Sequence, residues 1–136
     1  MKVVIDTNVL LVSLARRSKY HLIFLQLLRK RYELCITSDI LNEYEEIFSK
    51  KANPEIANQA LEIIIQLPNI IQINKFYFWQ LIEADPDDNK FVDCAIAANA
   101  DFIVSDDVHF NILKSIEFPE VKVIGKDEFL TMLENL

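Results

Sequence analysis

The sequence predicts an α/β fold in three layers, with a central parallel sheet of about five strands covered by helices on both faces. Short runs of β-branched and apolar residues alternate along the chain with apolar residues at helical spacing, as is typical of parallel sheets. Apolar residues make up 51% of the 136 positions, which is enough for a hydrophobic core. No linker or repeat interrupts this pattern, so we expect one domain over residues 1–136.

The first half of the chain contains three strand patterns and four helix patterns. We expect strands over residues 2–6, 32–37 and 70–73, and helices over residues 9–15, 20–28, 38–48 and 54–64. Thr7 or Asn8 is placed to cap the first helix, and Ser38 to cap the third. Pro54 suits the first turn of the fourth helix, because its missing N–H would have no partner there.

The second half of the chain contains two helix patterns and two strand patterns. We expect helices over residues 86–98 and 127–133, and strands over residues 102–105 and 121–124. Asp85 followed by Pro86 is typical of an N-cap and the first helical position. Gly125 is expected to end the last strand.

Composition excludes several classes of site. With Gly125 as the single glycine, the chain has no glycine-rich phosphate loop and no Gly-x-Ser-x-Gly nucleophile turn. Cys35 and Cys94 form no Cys-x-x-Cys pair, so we expect two buried thiols rather than a zinc or redox site. No apolar run reaches the ~20 residues that span a bilayer, and residues 1–6 are too short for a signal peptide. We therefore expect a cytoplasmic protein that does not enter the membrane.

Charge is distributed unevenly along the chain. The net charge is −7, yet residues 7–32 contain six basic residues and no acidic one. Arg16, Arg17 and Lys19 in this segment are candidate contacts to a phosphate backbone. The alternative is that they are charges on a solvated face of the protein.

Carboxylates follow two of the expected strands. Asp6 ends the first strand, and the strand over residues 102–105 runs into Asp106 and Asp107. Glu43 and Asp88 lie on helices that are expected to reach the same edge of the sheet, where ligands bind in such folds. Two unit charges ~4 Å apart repel by about 4 kcal/mol at an effective dielectric constant of ~20, so such a cluster favours a neutralising cation. Carboxylate oxygens select Mg²⁺ or Mn²⁺, whose chemistry in such a site acts on phosphate esters.

Other folds also place acids at strand ends, but this sequence lacks residues that they require. An aspartate-nucleophile phosphatase needs Asp-x-Asp after the first strand, whereas position 8 holds Asn8. A phosphoacceptor receiver needs an Asp at the end of the third strand, where this chain has Asn74.

Four segments of the sequence resemble the PIN domain, the metal-dependent ribonuclease fold of VapC-like toxins. They are residues 4–10 (VIDTNVL), 38–43 (SDILNE), 85–95 (DPDDNKFVDCA) and 100–107 (ADFIVSDD). Each segment alone is weakly specific, but the four occur in the family's order and extend over most of the chain. The likeness is greatest to PIN proteins that act as toxins of toxin–antitoxin pairs.

The resemblance implies a function and a set of site residues. It implies an endoribonuclease that binds one or two Mg²⁺ or Mn²⁺ ions, forms homodimers and is inhibited by a small antitoxin protein. The metal ligands that it implies are Asp6, Glu43, Asp88 and Asp107. Asn8 and Ser105 would orient those carboxylates or water. Asp106 stands where this subgroup usually has glycine, which leaves two candidates for the last ligand, and Asp107 keeps the family's spacing.

Several residues have two interpretations. Asp93 lies five residues after Asp88, roughly 140° around an ideal helix, so its side chain is expected to face away from the site. A position in the site is the less favoured alternative. His109 is a candidate substrate contact, but a partly packed surface imidazole is the favoured interpretation. The aromatic cluster over residues 76–79 could stack bases, form a dimer contact or anchor a loop.

Two functions of other classes compete with the ribonuclease. A PIN fold that binds RNA or a protein without cutting would lose no activity on Asp6→Asn. A small phosphatase would hydrolyse a phosphate monoester but not RNA.

Overall fold

The computed structural model describes residues 1–74 and 77–136 and contains a five-stranded, all-parallel sheet. The strand order is β3-β2-β1-β4-β5. The strands are β1 (Lys2–Ile5), β2 (Glu33–Ile36), β3 (Ile70–Gln72), β4 (Phe102–Val104) and β5 (Val123–Ile124). Helices flank this sheet, so the predicted three-layer α/β/α class is confirmed.

Six α-helices and two 3-10 helices connect the strands of the described chain. The α-helices are α1 (Thr7–Ser13), α2 (His21–Leu28), α3 (Ser38–Lys51), α4 (Pro54–Gln66), α5 (Asn89–Ala98) and α6 (Lys126–Glu134). The 3-10 helices are Pro86–Asp88 and Val108–Ser115. The second of these lies outside every predicted element, and the first replaces the opening turn of the helix predicted from residue 86.

Helix starts follow the expected chemistry at Pro54 and at Asp85–Pro86, where Asp85 is the N-cap, and they differ at two other positions. Asn53 caps α4 by accepting a hydrogen bond from Glu55 N, and Pro54 occupies the first turn. The third helix is capped by Thr37 rather than by Ser38, because the chain leaves its extended conformation one residue earlier than predicted. The N-cap position of α1 is Asp6, so Thr7 and Asn8 lie inside the helix and neither caps it.

The core lies on both faces of the sheet. Val3, Val4, Ile5 and Ile103 are fully buried, as expected for strands covered on both sides. Helix α5 packs on β1, β2 and β4, and the small side chains in it allow this close approach. The two cysteines are buried free thiols, as predicted from the missing Cys-x-x-Cys pair.

The sheet order creates one crevice that positions the site. The chain moves outward from β1 to β2 and β3, then returns to the other side of β1 to form β4. The connections leaving β1 and β4 therefore diverge, and ligands bind at such a switch point in open parallel sheets. Within the described residues, no helix is both long and apolar enough to cross a membrane. Phe76, part of the predicted aromatic cluster, lies outside the described residues.

Candidate metal centre

Asp6 lies at the carboxyl end of β1 with only 7% of its surface exposed. Its Oδ2 accepts a hydrogen bond from Ser105 Oγ at 2.7 Å, which links the carboxyl ends of the paired strands β1 and β4. Burial raises the pKa of Asp6, and the nearby carboxylates of Asp107 and Glu43 raise it further, although the Ser105 bond opposes the change. A positive charge nearby would therefore stabilise the ionised form of Asp6.

The side chains of Asp107 and Asp106 have different neighbours. Ser105 Oγ accepts a hydrogen bond from the Asp107 amide at 3.0 Å, which holds the Asp107 backbone next to Asp6. The Asp107 carboxylate is close enough to raise the pKa values of both Asp6 and Asp88. The Asp106 carboxylate instead forms a 2.9 Å ion pair with Lys126 at the start of α6. The geometry thus joins Asp107, rather than Asp106, to the carboxylate cluster.

Asp88 is the buried end of the 3-10 helix that precedes α5. Burial and the charges of Asp107, Asp85 and Asp6, in that order, raise the pKa of Asp88 to about 7. His109 Nδ1 lies 3.3 Å from Asp88 Oδ2, 3.2 Å from Asp107 Oδ1 and 3.6 Å from Asp85 Oδ2. Asp85, Asp88 and His109 place one ligand atom each within 4.8 Å of one another, a spacing suited to a metal ion. The structure therefore adds Asp85 and His109 to the predicted set.

Glu43 borders this cluster from α3, on the side of Asp6. Its Oε2 accepts a hydrogen bond from Thr7 Oγ1, and its Oε1 is 2.7 Å from Lys90 Nζ. Lys90 also pairs with Asp87 at 2.9 Å. Burial acts to lower the pKa of Lys90, but these two carboxylates outweigh it and raise the pKa above its usual value. A charged lysine therefore lies among the acids, a feature that the sequence analysis did not identify.

The remaining predicted residues lie around this cluster. Asn8 is exposed and lines a cleft of about 380 Å³ together with Asp6, Asp107 and Lys126. Asp93 is buried in α5, where it accepts a hydrogen bond from Trp79 N at 3.1 Å. It lines a different cleft, of about 650 Å³, in which Asp39 and Lys90 also lie.

The predicted basic contacts divide into two groups. Arg16 and Arg17 are exposed at the edge of an apolar groove between α2 and α4. Lys19 pairs with Asp127 at 3.2 Å, and its ammonium lies 5.4 Å from the centre of the Tyr20 ring. Lys126 Nζ lies 5.1 Å from the same ring, which connects Lys19 to the cleft beside Asp6. No local sequence signal identifies Lys126, because its position depends on contacts between β4, β5 and α1–α2.

The donor atoms of this cluster suit a divalent cation. Most are carboxylate oxygens, which hard ions such as Mg²⁺ and Mn²⁺ prefer, and His109 supplies one nitrogen. Their proximity raises the pKa values of Asp6 and Asp88, as expected where several carboxylates share a site without a counter-ion. A divalent ion would neutralise this repulsion, so the residues present fit such a group.

Comparisons with known proteins agree with this fold. No curated protein matches the sequence. A chain in the crystal structure of VapBC2 from Rickettsia felis, bound to a DNA fragment from the promoter, superposes with a TM-score of 0.64. The two chains are 24% identical over 92% of this chain and 98% of that one, a likeness that concerns the fold. The profile of the PIN domain family matches residues 2–109, and the chain belongs to this family.

Proposed function

We propose that the protein is a Mg²⁺- or Mn²⁺-dependent endoribonuclease and the toxin of a toxin–antitoxin pair. The observation that carries this proposal is the convergence of Asp6, Asp88 and Asp107 at the switch point between β1 and β4. Ser105 hydrogen-bonds to both Asp6 and Asp107, and His109 Nδ1 lies 3.2 Å from Asp107 and 3.3 Å from Asp88. These three carboxylates come from separate parts of the chain, and their mutual repulsion lowers the stability of the fold when no cation is bound. Membership of the PIN family and the fold of the VapBC2 chain support the same function.

Each residue of the cluster has a distinct role in the proposed reaction. A divalent ion, when bound, would activate water and neutralise charge at the phosphate. Asp6, Asp88 and Asp107 would hold that ion at the sheet edge, with Glu43 at the border of the set. Ser105 fixes the relative position of Asp6 and Asp107 through its two hydrogen bonds. His109 and Asp85 lie beside Asp88 at ligand spacing and would complete the set of donors or orient it.

The RNA would approach through the cleft beside Asp6. Lys126 and the Tyr20 ring lie at its mouth, where an ammonium can contact a phosphate and a ring can stack on a base. Lys19 extends this surface on the other side of Tyr20. Arg16 and Arg17 lie farther along the same connection between α1 and α2. Lys126 and Lys19 thus place positive charge beside the candidate centre of an otherwise acidic protein.

The partner would be a small antitoxin protein. The groove that Arg16 and Arg17 border has a volume of about 560 Å³ and an apolar lining that includes Phe24, Leu28 and Ile63. Such a groove suits an amphipathic segment with acidic residues near its ends. We also propose homodimers and a cytoplasmic location. The two buried free thiols agree with a reducing compartment.

Cleavage assays test the proposed function. Purified protein should cut a structured RNA pool with Mn²⁺ and should not cut it with EDTA. Asp107→Asn should remove cleavage, whereas the matched variant Asp106→Asn should retain it, because Asp106 points to Lys126. If no RNA is cut and Mn²⁺ leaves the melting temperature of the wild type unchanged, the alternative of a non-catalytic PIN module is favoured. A Mn²⁺ increase in melting temperature without cleavage would mean an intact metal site that lacks its substrate.

A further inference from the structure

Lys90 is the least exposed cation near the candidate centre among the described residues. Its side chain is 14% exposed, and its ammonium lies between Glu43 Oε1 at 2.7 Å and Asp87 Oδ1 at 2.9 Å. A lysine is rarely buried to this extent unless carboxylates pair with it. It belongs to the first turn of α5, directly after the segment that carries Asp88.

Glu43 uses both carboxylate oxygens within the protein. Oε2 accepts a hydrogen bond from Thr7, and Oε1 pairs with Lys90. By contrast, Asp6 accepts hydrogen bonds from the Ser105 hydroxyl and the Thr7 amide. Asp88 and Asp107 lie 3.3 Å and 3.2 Å from the His109 imidazole. Among the described residues, these three carboxylates have no lysine or arginine partner, whereas Glu43 is paired with Lys90.

A divalent ion that ligates Glu43 Oε1 would have to displace Lys90. The displaced ammonium would lose one of its two carboxylate partners and keep Asp87, whose side chain is 72% exposed. It would also lie beside a like charge, which repels it. The arrangement is consistent with a permanent positive charge that the chain itself supplies on this side of the site.

We propose that the Lys90 ammonium takes the place of a second cation, so that the centre binds one divalent ion through Asp6, Asp88 and Asp107. Glu43 then acts as a positioning residue that holds Lys90 instead of ligating the ion. This inference rests on the proposed function, because it assumes that the centre binds a metal. It explains why Glu43 borders the cluster and yet is paired within the protein.

The test is the number of Mn²⁺ ions bound per chain, measured by electron paramagnetic resonance of free Mn²⁺ during titration of the full chain. The wild type should bind one ion. Lys90→Met keeps the length of the side chain but removes its charge, and it should bind two. Lys90→Arg restores the charge and should bind one. Circular dichroism of each variant establishes that it is folded.

Glu43→Gln provides a second test that does not depend on Lys90→Met folding. A positioning role predicts that this variant still binds one ion, with the dissociation constant changed less than about threefold. Asp6→Asn is the matched control, and it should weaken binding at least tenfold.

The outcomes separate the two proposals. Two ions in the wild type, or one ion in both the wild type and Lys90→Met, would overturn the role of Lys90 and leave the nuclease intact. Loss of the ion in Glu43→Gln would also overturn it, since Glu43 would then be a ligand. No ion in the wild type would overturn the proposed metal-dependent function and this inference with it.

Discussion

At Asp6, burial and like charge act in the same direction. The carboxylate ends an apolar strand, is 7% exposed and faces Asp107 and Glu43. The buried carboxylate destabilises the metal-free folded protein, and binding of a cation would compensate for this loss. A residue that lowers stability without its ligand and raises stability with it is typical of a functional site rather than of a core.

Asp6→Asn tests this balance through thermal stability. In EDTA the variant should melt at a higher temperature than the wild type, because the repulsion with Asp107 is removed. For the wild type, Mn²⁺ at ~100 times its dissociation constant should add about 2.7 kcal/mol, or about 9 °C for this length. Asp6→Asn should show little of this increase. If the variant showed the full increase in stability with Mn²⁺, Asp6 would not belong to the metal centre.

Asp88 predicts an unusual dependence of stability on pH. Its pKa of about 7 in the folded protein lies above the ordinary value of 3.8, so the folded state binds a proton that the unfolded state does not. Stability in EDTA should therefore rise as the pH falls from 8 to about 5, and be lost again as the pH increases through 7. Melting curves across this range test the prediction, and Asp88→Asn should reduce the slope. An unchanged slope would contradict the assignment of this effect to Asp88.

Residue identities at the site could be predicted only where they belong to a local pattern. Asp6, Asp88 and Asp107 each lie in a recognisable segment, and the spacing from Ala100 favoured Asp107 over Asp106. His109 was underestimated because its contacts with Asp85 and Asp88 join positions 21 to 24 residues apart. The pairing of Lys90 with Glu43, across 47 positions, has no sequence signal at all.

Among the elements, the junction of β5 and α6 explains an unusual residue. Asp106, where this PIN subgroup usually has glycine, pairs with Lys126 and packs against Gly125. A Cβ at position 125 would lie 2.6 Å from Asp106 Oδ1, so the only glycine of the chain makes room for this carboxylate. The pair thereby holds Lys126 at the mouth of the cleft beside Asp6.

Gly125→Ala should disturb this junction. We expect a loss of about 1 kcal/mol in the free energy of unfolding, because the Asp106 side chain must move away from its partner. The same change in an Asp106→Gly background should cost less, since the carboxylate is gone. Urea denaturation of the two single variants and the double variant measures the coupling. Strictly additive costs would show that Asp106 and Gly125 do not interact.

Lys126→Ala should weaken binding of single-stranded RNA. In an Asp6→Asn background, which prevents cleavage, the logarithm of affinity should fall less steeply with salt, by a slope of about 0.7 for one phosphate contact. Lys122→Ala is the matched control, because Lys122 lies at the amino end of β5, whereas Lys126 follows the carboxyl end of that strand. Equal effects of the two substitutions would indicate a general charge effect rather than a contact at the cleft.

The order of strands and helices could be predicted from periodicity, but their ends could not. The five strands and the helices follow the predicted sequence, since buried parallel strands have a clear apolar signal. The 3-10 helix Val108–Ser115 was missed, although its buried residues Phe110 and Leu113 are three positions apart. Strand β5 has two residues rather than the four predicted, because only Val123 and Ile124 reach β4.

At the scale of the whole molecule, one surface carries several exposed aromatic side chains. Tyr77 and Phe118 are 74% and 84% exposed, and Trp79 contacts both rings. Such a surface is typical of a protein–protein interface. It is the part of the chain that best accommodates the proposed homodimer.

Phe118→Ser tests this surface. If the aromatic side chains form the dimer interface, the variant should have the mass of a monomer in light scattering at concentrations where the wild type is a dimer. Val108→Ser, at a residue that is 71% exposed near the centre, is the matched control and should leave the mass unchanged. A monomeric wild type would remove the homodimer from the proposal.

The central claim is hydrolysis of RNA by water at the centre formed by Asp6, Asp88 and Asp107. The most direct test is to cut a defined RNA in H₂¹⁸O with Mn²⁺ and to analyse the new ends by mass spectrometry at early times. Direct attack by water predicts linear phosphate ends that carry one ¹⁸O atom, and loss of these products in EDTA and in Asp107→Asn. Ends with a 2′,3′-cyclic phosphate, or cleavage that persists in EDTA, would contradict the account.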